Sequence, residues 1–341
     1  MAVLENIFLL SGAVALFLFG LKTLSGGIAD LAGEKLKGFV RKATRNRFFA
    51  VGAGVLTTAI AQSSVATNMV VITFVEKGAL SFLSACAVIM GTNIGTTVTA
   101  QLVSLSSVSD FAISAIGSLI AFIGFIVSLS KKQTNKALGS VMLGFGFIFI
   151  GIELLTEIVQ RFKSYPFFTG LFLVENPLLL LLNGFIITAI LQSSSVVTSI
   201  MTVLASIGLL NFRCATFIIL GANIGTCLPV IFTSLSMNKE SVKAAIFNIA
   251  FNLFGTIVFF LPLLFFGKQI ASLPIFACES GRAIANFHTL FNMVICIILL
   301  PILKPFCALC ERVVEFLFYD QKEQGIKPVY KKHSAKIQKK W

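Results

Sequence analysis

Two short polar runs recur in a chain that is otherwise apolar. Gln62-Ser63-Ser64 lies in TAIAQSS at residues 58–64, and Gln192-Ser193-Ser194-Ser195 grows out of TAILQSS at 188–194. Serine hydroxyls donate to an oxyanion or present lone pairs to a cation, and a glutamine amide does either. A second pair follows, Gly91-Thr92-Asn93-Ile94-Gly95-Thr96 and Gly221-Ala222-Asn223-Ile224-Gly225-Thr226. Both pairs share one offset of 130 residues, and 16 of the forty positions from Thr58–Thr97 and Thr188–Cys227 are identical. This is an internal duplication. What it retains is polar, in segments built for lipid, where polar groups are costly and usually functional.

The missing residue types narrow the chemistry. Between Arg47 and Asp110 the only charges are Glu76 and Lys77, and between Glu175 and Arg213 there are none. A serine hydrolase needs a base, and His288, the histidine at membrane depth, lies a whole helix away in sequence. Cys307-x-x-Cys310 has only His288 and His333 to complete a zinc site, so it reads as two buried thiols one helical turn apart. Proton coupling needs a titrating group, and neither motif has one. No Arg or Lys lies in the motifs to neutralise an anion. Hydroxyl, amide and carbonyl oxygens suit a hard monovalent cation, so bound Na+ is expected to supply the positive charge. Cation and anion then enter together, as cotransport, with no cofactor beyond Na+ as coupling ion.

The elements that must hold these residues are membrane helices. The chain has 341 residues, 57% hydrophobic and 12% charged, against about 25% charged in soluble domains. Composition predicts an all-α polytopic membrane protein. The net charge of +13 comes from Lys35–Arg47, Lys131–Lys136 and Lys322–Lys340, in loops and ends. That is positive-inside placement and excludes a nucleic-acid partner. The run Val3–Leu21 reads as an uncleaved first span. Apolar spans are expected at 3–24, 80–104, 108–130, 137–159, 212–235, 243–266 and 283–303, each of about 20 residues, enough for a ~30 Å hydrocarbon core.

The motif segments 50–75 and 178–207 read either as spans or as re-entrant hairpins. With the Lys35–Arg47 stretch and the tail in the cytoplasm, hairpins leave Arg161, Lys163, Arg213, Lys268 and Arg282 outside. Full crossings leave Lys77, Lys131, Lys132, Lys136, Arg213, Lys268 and Arg282 outside, so charge favours hairpins. Three spans then separate the hairpins, and an odd number of crossings makes the second repeat enter from the opposite face. LFLFGLKTL at 16–24 resembles FIFIGIELL at 147–155, extending the repeat upstream. The expected units are 1–136 and 137–266, inverted, each a span, a hairpin and two spans. Residues 267–318 form a last span and a following helix, and 319–341 a basic cytoplasmic tail. This is a secondary-transporter architecture. With the second hairpin starting near Gly184, Gln192 lies ~12 Å of helix in, close to half the bilayer core. The polar cluster falls at a tip where half-helix N-termini suit an anion. The glycines bracketing Asn93 and Asn223 are expected to break their helices and free carbonyls as ligands.

These residues resemble a known family. Repeated Q-S-S-S segments, each followed by G-x-N-I-G-T, are similar to the type II sodium–phosphate cotransporters and their bacterial relatives, over roughly residues 5–305. Ala285-x-x-His288-x-x-Phe291-Asn292 fits the family's A-x-x-H-x-x-F-N pattern, and Ala245-x-x-Asn248-x-x-Phe251-Asn252 repeats it with Asn for His. The resemblance implies sodium-coupled symport of inorganic phosphate by alternating access, in the plasma membrane of a bacterium. It places phosphate at Gln62, Ser63, Ser64, Gln192, Ser193, Ser194 and Ser195. Sodium goes to Thr58, Gln62, Asn93 and Thr96 and to Thr188, Gln192, Asn223 and Thr226. His288 reads as a packed, hydrogen-bonded helix residue. The chain departs from the family at Val65, where a third serine is common, and Lys322–Trp341 is too short for the helical regulatory domain many bacterial relatives carry. A carrier or exporter of another oxyanion is the alternative. Membrane lipid is the expected surrounding, and the oligomeric state is unknown from sequence.

Overall fold

The computed structural model describes residues 2–42, 46–105, 112–162 and 176–323. Every regular element among the described residues is an α-helix. In chain order these are α1 (Ala2–Lys42), α2 (Arg47–Ala61), α3 (Ser64–Glu76), α4 (Phe82–Leu105), α5 (Ala112–Ser128) and α6 (Gln133–Phe162). Then come α7 (Pro177–Leu191), α8 (Ser194–Ser206), α9 (Phe212–Gly225), α10 (Cys227–Ser234), α11 (Lys239–Ala271), α12 (Ser280–Leu299) and α13 (Leu303–Glu323). Six stretches are long and apolar enough to cross a membrane: Leu4–Ile28, Phe82–Ser104, Gln133–Ile158, Phe212–Ser234, Lys239–Ala271 and Ser280–Leu299. The seventh expected span, 108–130, is described as the apolar helix α5, with 106–111 outside the described residues. Its outer face carries exposed Ile116, Leu119, Phe122 and Ile126, the surface a helix presents to lipid.

Contacts at glycines reveal the direction in which neighbouring helices run. A Cβ on Gly20 would lie 2.7 Å from Ile148 N, one on Gly27 2.7 Å from Val141 N, and one on Gly151 2.8 Å from Phe17 Cα. Advancing along α1 means retreating along α6, so the two helices are antiparallel. Gly20 and Gly151 match in the aligned segments, as do Phe17 and Ile148. The contact is therefore reciprocal, as a two-fold relation requires.

The motif segments behave differently. Gly91 lies against Val51 and Val55, and Gly95 against Val55 and Ala59, so α2 and α4 advance together. Gly221 against Leu181 and Phe185, and Gly225 against Phe185 and Ala189, make α7 and α9 parallel in the same way. Short turns link α2 to α3 and α3 to α4, so α3 must run back between two parallel helices. The same holds for α8. Both motif segments are hairpins, bounded by Arg47 and Glu76 and by Pro177 and Ser206. Their helices of 15 and 13 residues are ~20–22 Å long, short of the ~30 Å core.

The glycines do not break their helices, contrary to the expectation from sequence. α4 runs unbroken through Gly91–Thr96. The other copy is interrupted only at Thr226, whose φ −66° and ψ −16° are still helical. Pro229 accounts for that interruption: it has no N–H for the Gly225 carbonyl, and its ring crowds the preceding turn. Thr99 holds the matching place in α4. The glycines instead allow backbone to touch backbone, the small-residue packing of membrane helices.

Beyond the hairpins, α13 packs on α11 through charge. Lys243 Nζ is 2.9 Å from Glu240 Oε1 and 3.1 Å from Glu311 Oε1, and Lys239 Nζ is 3.4 Å from Glu315 Oε1. Helix α13 continues to Glu323, into the segment expected as a tail from 319; residues 324–341, His333 included, lie outside the described residues. Cys307 and Cys310 are buried free thiols on α13, and burial pushes the Cys310 thiol up to about 12.

Candidate functional site

Each hairpin tip is made by two residues with opposite backbone habits. Gln62 caps α2 at φ 52°, ψ 21°, its N–H donating to Thr58 O at 2.7 Å. Ser63 is extended at φ −145°, ψ 105°, and its Oγ accepts from Ala66 N at 3.2 Å. The second tip repeats this: Gln192 at φ 55°, ψ 25°, and Ser193 at φ −150°, ψ 107°, with Oγ accepting from Val196 N at 3.4 Å. Gln62 and Gln192 are the only non-glycine residues with positive φ among the described residues. A left-handed turn then an extended residue stops one helix and starts another. The serine at the start satisfies one of the new helix's free N–H groups. The remaining first-turn N–H groups and the helix dipole favour negative charge at the tip. Holding glutamine left-handed costs about 1–2 kcal/mol, strain of the kind that collects at functional sites.

The two tips meet. Gln62 and Ser63 from one hairpin and Ser193 and Ser195 from the other line a single cavity of about 270 Å³. Thr99 of α4 and Lys22 and Ser25 of α1 complete its polar wall; Leu18, Leu21, Ala61 and Val196 are apolar. Ser195 Oγ lies 3.5 Å from Thr96 O, tying the second tip to α4. Gln62 is held by its own amide, Nε2 donating to Ala59 O at 2.7 Å, and by Thr99 Oγ1 donating to its Oε1 at 2.6 Å.

The other predicted phosphate residues do not line the cavity. Ser64 is half-buried one position inside α3, Ser194 is 2% exposed inside α8, and Gln192 is exposed with no side-chain hydrogen bond among the described residues. Of the predicted sodium residues, Thr58 and Thr188 are fully buried, and neither Oγ1 has a hydrogen-bond partner among the described residues. They occupy equivalent places, packed against Gly95 and Gly225. Asn93 Nδ2 donates to Ile89 O at 2.9 Å and reaches Asn248 Oδ1 at 3.4 Å; Asn223 Nδ2 donates to Ile219 O at 3.0 Å, and its Oδ1 is 3.3 Å from His288 Nε2. Thr96 and Thr226 hydroxyls donate to Thr92 O and Asn223 O on their own helices. His288 is fully buried behind Asn223, apart from the cavity.

Sequence reasoning missed Lys22, Ser25 and Thr99. The motif segments lack a cation, but the cavity they form does not. Lys22 had a legible signal: it is the sole charge between Glu5 and Asp30, inside the first span, and an intramembrane charge is a functional candidate by default.

A bundle of membrane-length helices with two helical hairpins, their polar tips sharing one cavity, defines a polytopic membrane protein. The chain belongs to the Na+/Pi-cotransporter family, whose model matches residues 16–157 and 170–273; this is a family of transporters, not enzymes. It is 28% identical over 310 residues to "Putative inorganic phosphate export protein YjbB" of Escherichia coli, covering 89% of this chain and 55% of that protein. The chain thus spans about half the length of that relative. It is 28% identical over 309 residues to "Uncharacterized protein YqeW" of Bacillus subtilis, covering 88% of this chain and 96% of that one. Over 92 residues it is 38% identical to "Sodium-dependent phosphate transport protein 2B" of Homo sapiens, covering 26% of this chain and 13% of that protein. No solved structure matches the chain.

Proposed function

We propose that this chain carries inorganic phosphate with sodium across the plasma membrane, as a symporter working by alternating access. The observation that carries the reading is the meeting of two equivalent tips, each a half-helix N-terminus and a serine, in one cavity. The donors there suit an oxyanion. The paired orphan hydroxyls of Thr58 and Thr188 are buried oxygens in want of a partner, which a sodium ion in transit satisfies. The antiparallel, reciprocal packing of α1 and α6 supports two inverted units, 1–136 and 137–266, whose relative rocking opens the cavity to either side.

The test is transport by the purified full chain in proteoliposomes. With pH equal on both sides, labelled phosphate should accumulate down an imposed sodium gradient and stop when K+ or choline replaces Na+. Undiminished uptake without sodium would sink the coupling, and Glu153 and Glu157 on α6 would be examined next as proton carriers. An export reading is favoured by the name of the Escherichia coli relative. A symporter's direction is set by its gradients, so the discriminating result is phosphate leaving loaded vesicles against an inward sodium gradient. Sulfate or arsenate moved in preference to phosphate would instead identify a carrier of another oxyanion.

A further inference from the structure

Among the described residues, Lys22 is the only charged or titratable side chain lining the cavity; the others are serine, threonine, glutamine or aliphatic. It comes from α1, outside both repeated motifs, one turn before Ser25, which lines the same wall. No ion pair engages it among the described residues. On α6, which packs along α1, the charged side chains Lys136, Glu153, Glu157 and Arg161 lie outside the lining, and Glu157 pairs with Arg161 at 2.7 Å. Lys22 is itself exposed, at the cavity's edge, and its counterpart in the second half, Glu153, is an exposed carboxylate outside the lining. The two halves therefore give the cavity serines from both sides but a fixed charge from one side only.

We propose that Lys22 is the fixed countercharge of the phosphate site and makes it select the doubly charged form of the anion. This rests on the phosphate-carrier reading above. An ammonium brings three donors and no acceptor. With two half-helix N-termini and serine hydroxyls around it, the cavity offers an excess of donors, which an anion with two charges satisfies best. A cation built into the wall also replaces one sodium ion in neutralising the anion, so losing it raises the demand for sodium.

The experiment compares wild type with Lys22→Gln, Lys22→Met and Lys22→Arg in proteoliposomes, with phosphate KM and kcat measured at pH 6 and pH 8. Melting curves in detergent report folding, and calorimetric titration with inorganic phosphate reports binding apart from transport. In wild type the KM for total phosphate should fall between these pH values, as phosphate passes through its second pKa, about 6–7. Lys22→Gln and Lys22→Met should raise KM about ten- to a hundredfold, the range for hydrogen bonds to charged groups, with kcat nearly unchanged. They should lose the pH slope and need more sodium for half-maximal rate, while Lys22→Arg keeps both near wild type. A neutral variant with wild-type KM and slope, or an arginine variant as impaired as the neutral ones, would overturn the proposal. Those outcomes leave the carrier reading standing. A wild type that neither binds nor moves phosphate overturns both.

Discussion

The two hairpins have nearly superimposable tip geometry and unequal support. Gln62 and Gln192 differ by only a few degrees in φ and ψ, and so do Ser63 and Ser193. Yet Gln62 is clamped by Thr99, while the Gln192 side chain is exposed and has no hydrogen bond among the described residues. The difference traces to one substitution between the halves, Thr99 against Pro229. Proline removes the hydroxyl that would hold the glutamine and interrupts the helix at Thr226. A second asymmetry follows the same logic. Asn68 Oδ1 accepts from Thr92 Oγ1 at 2.8 Å, whereas the matching pair is Thr198 and Ala222, and the Thr198 hydroxyl has no partner among the described residues. Asn93 faces Asn248 and Asn223 faces His288. Backbone is shared between the halves, while side-chain support differs: the first half carries hydrogen bonds that the second lacks among the described residues.

The largest effect should come from breaking what the halves share. A Cβ on Gly221 would strike the Leu181 carbonyl, and one on Gly91 the Val51 carbonyl. Both obstacles are backbone and cannot swing away. Gly221→Leu and Gly91→Leu should each abolish recovery of monodisperse protein after detergent extraction. Normal recovery of either would show that these glycines do not set the approach of hairpin to span.

Next are the tip hydroxyls. Ser63→Ala and Ser193→Ala should insert normally but lower kcat/KM for phosphate about ten- to a hundredfold, as expected for charge-assisted hydrogen bonds. Each also loses a helix cap worth about 1 kcal/mol, visible as a lower melting temperature. Ser194→Ala, buried away from the lining, should cost less in transport than either. Wild-type rates in Ser63→Ala and Ser193→Ala would remove the tips from the site.

A smaller effect tests the asymmetry. Thr99→Val frees Gln62 as Gln192 is free, and should raise KM about fivefold, the worth of one net hydrogen bond. Pro229→Thr should do the reverse, clamping Gln192 and mending the helix. If Thr99→Val leaves KM unchanged, the clamp on Gln62 plays no part in binding.

Much of this was legible in the sequence because duplication marks it. The hairpins, their tips at Gln62 and Gln192 and the membrane helices follow from a repeated motif and a charge count. What failed was the role of Gly91, Gly95, Gly221 and Gly225. Glycine weakens an isolated helix, but a neighbouring backbone in contact restores it, and that neighbour is not visible in a local window. Lys22 lies on α1, outside the motifs that the duplication marks. Which side chains share a cavity depends on α1 folding back onto α6, a contact between residues over a hundred positions apart. Thr99 was invisible for the same reason, since its use is defined by a glutamine 37 residues earlier.

The last prediction separates the tips from the hairpin exits. The chain leaves each hairpin through a glycine at positive φ, Gly78 at 67° and Gly208 at 73°. There the left-handed turn is made by the residue that adopts it without strain. At the tips the same region is occupied by glutamine, which pays a steric penalty that glycine would avoid. A glutamine kept there twice is kept for its amide. Gln192→Gly should therefore leave melting temperature unchanged or slightly raised, within about 1 kcal/mol, since relief of strain offsets the added chain entropy. Transport should fall nonetheless. Gly208→Ala should show the opposite pattern, a loss of about 1 kcal/mol in stability with transport intact, because open space surrounds its Cβ and only the φ angle resists. Should Gln192→Gly transport at the wild-type rate, the second tip would be a turn and nothing more, and the binding chemistry would belong to Gln62, Ser63 and the serines of α8.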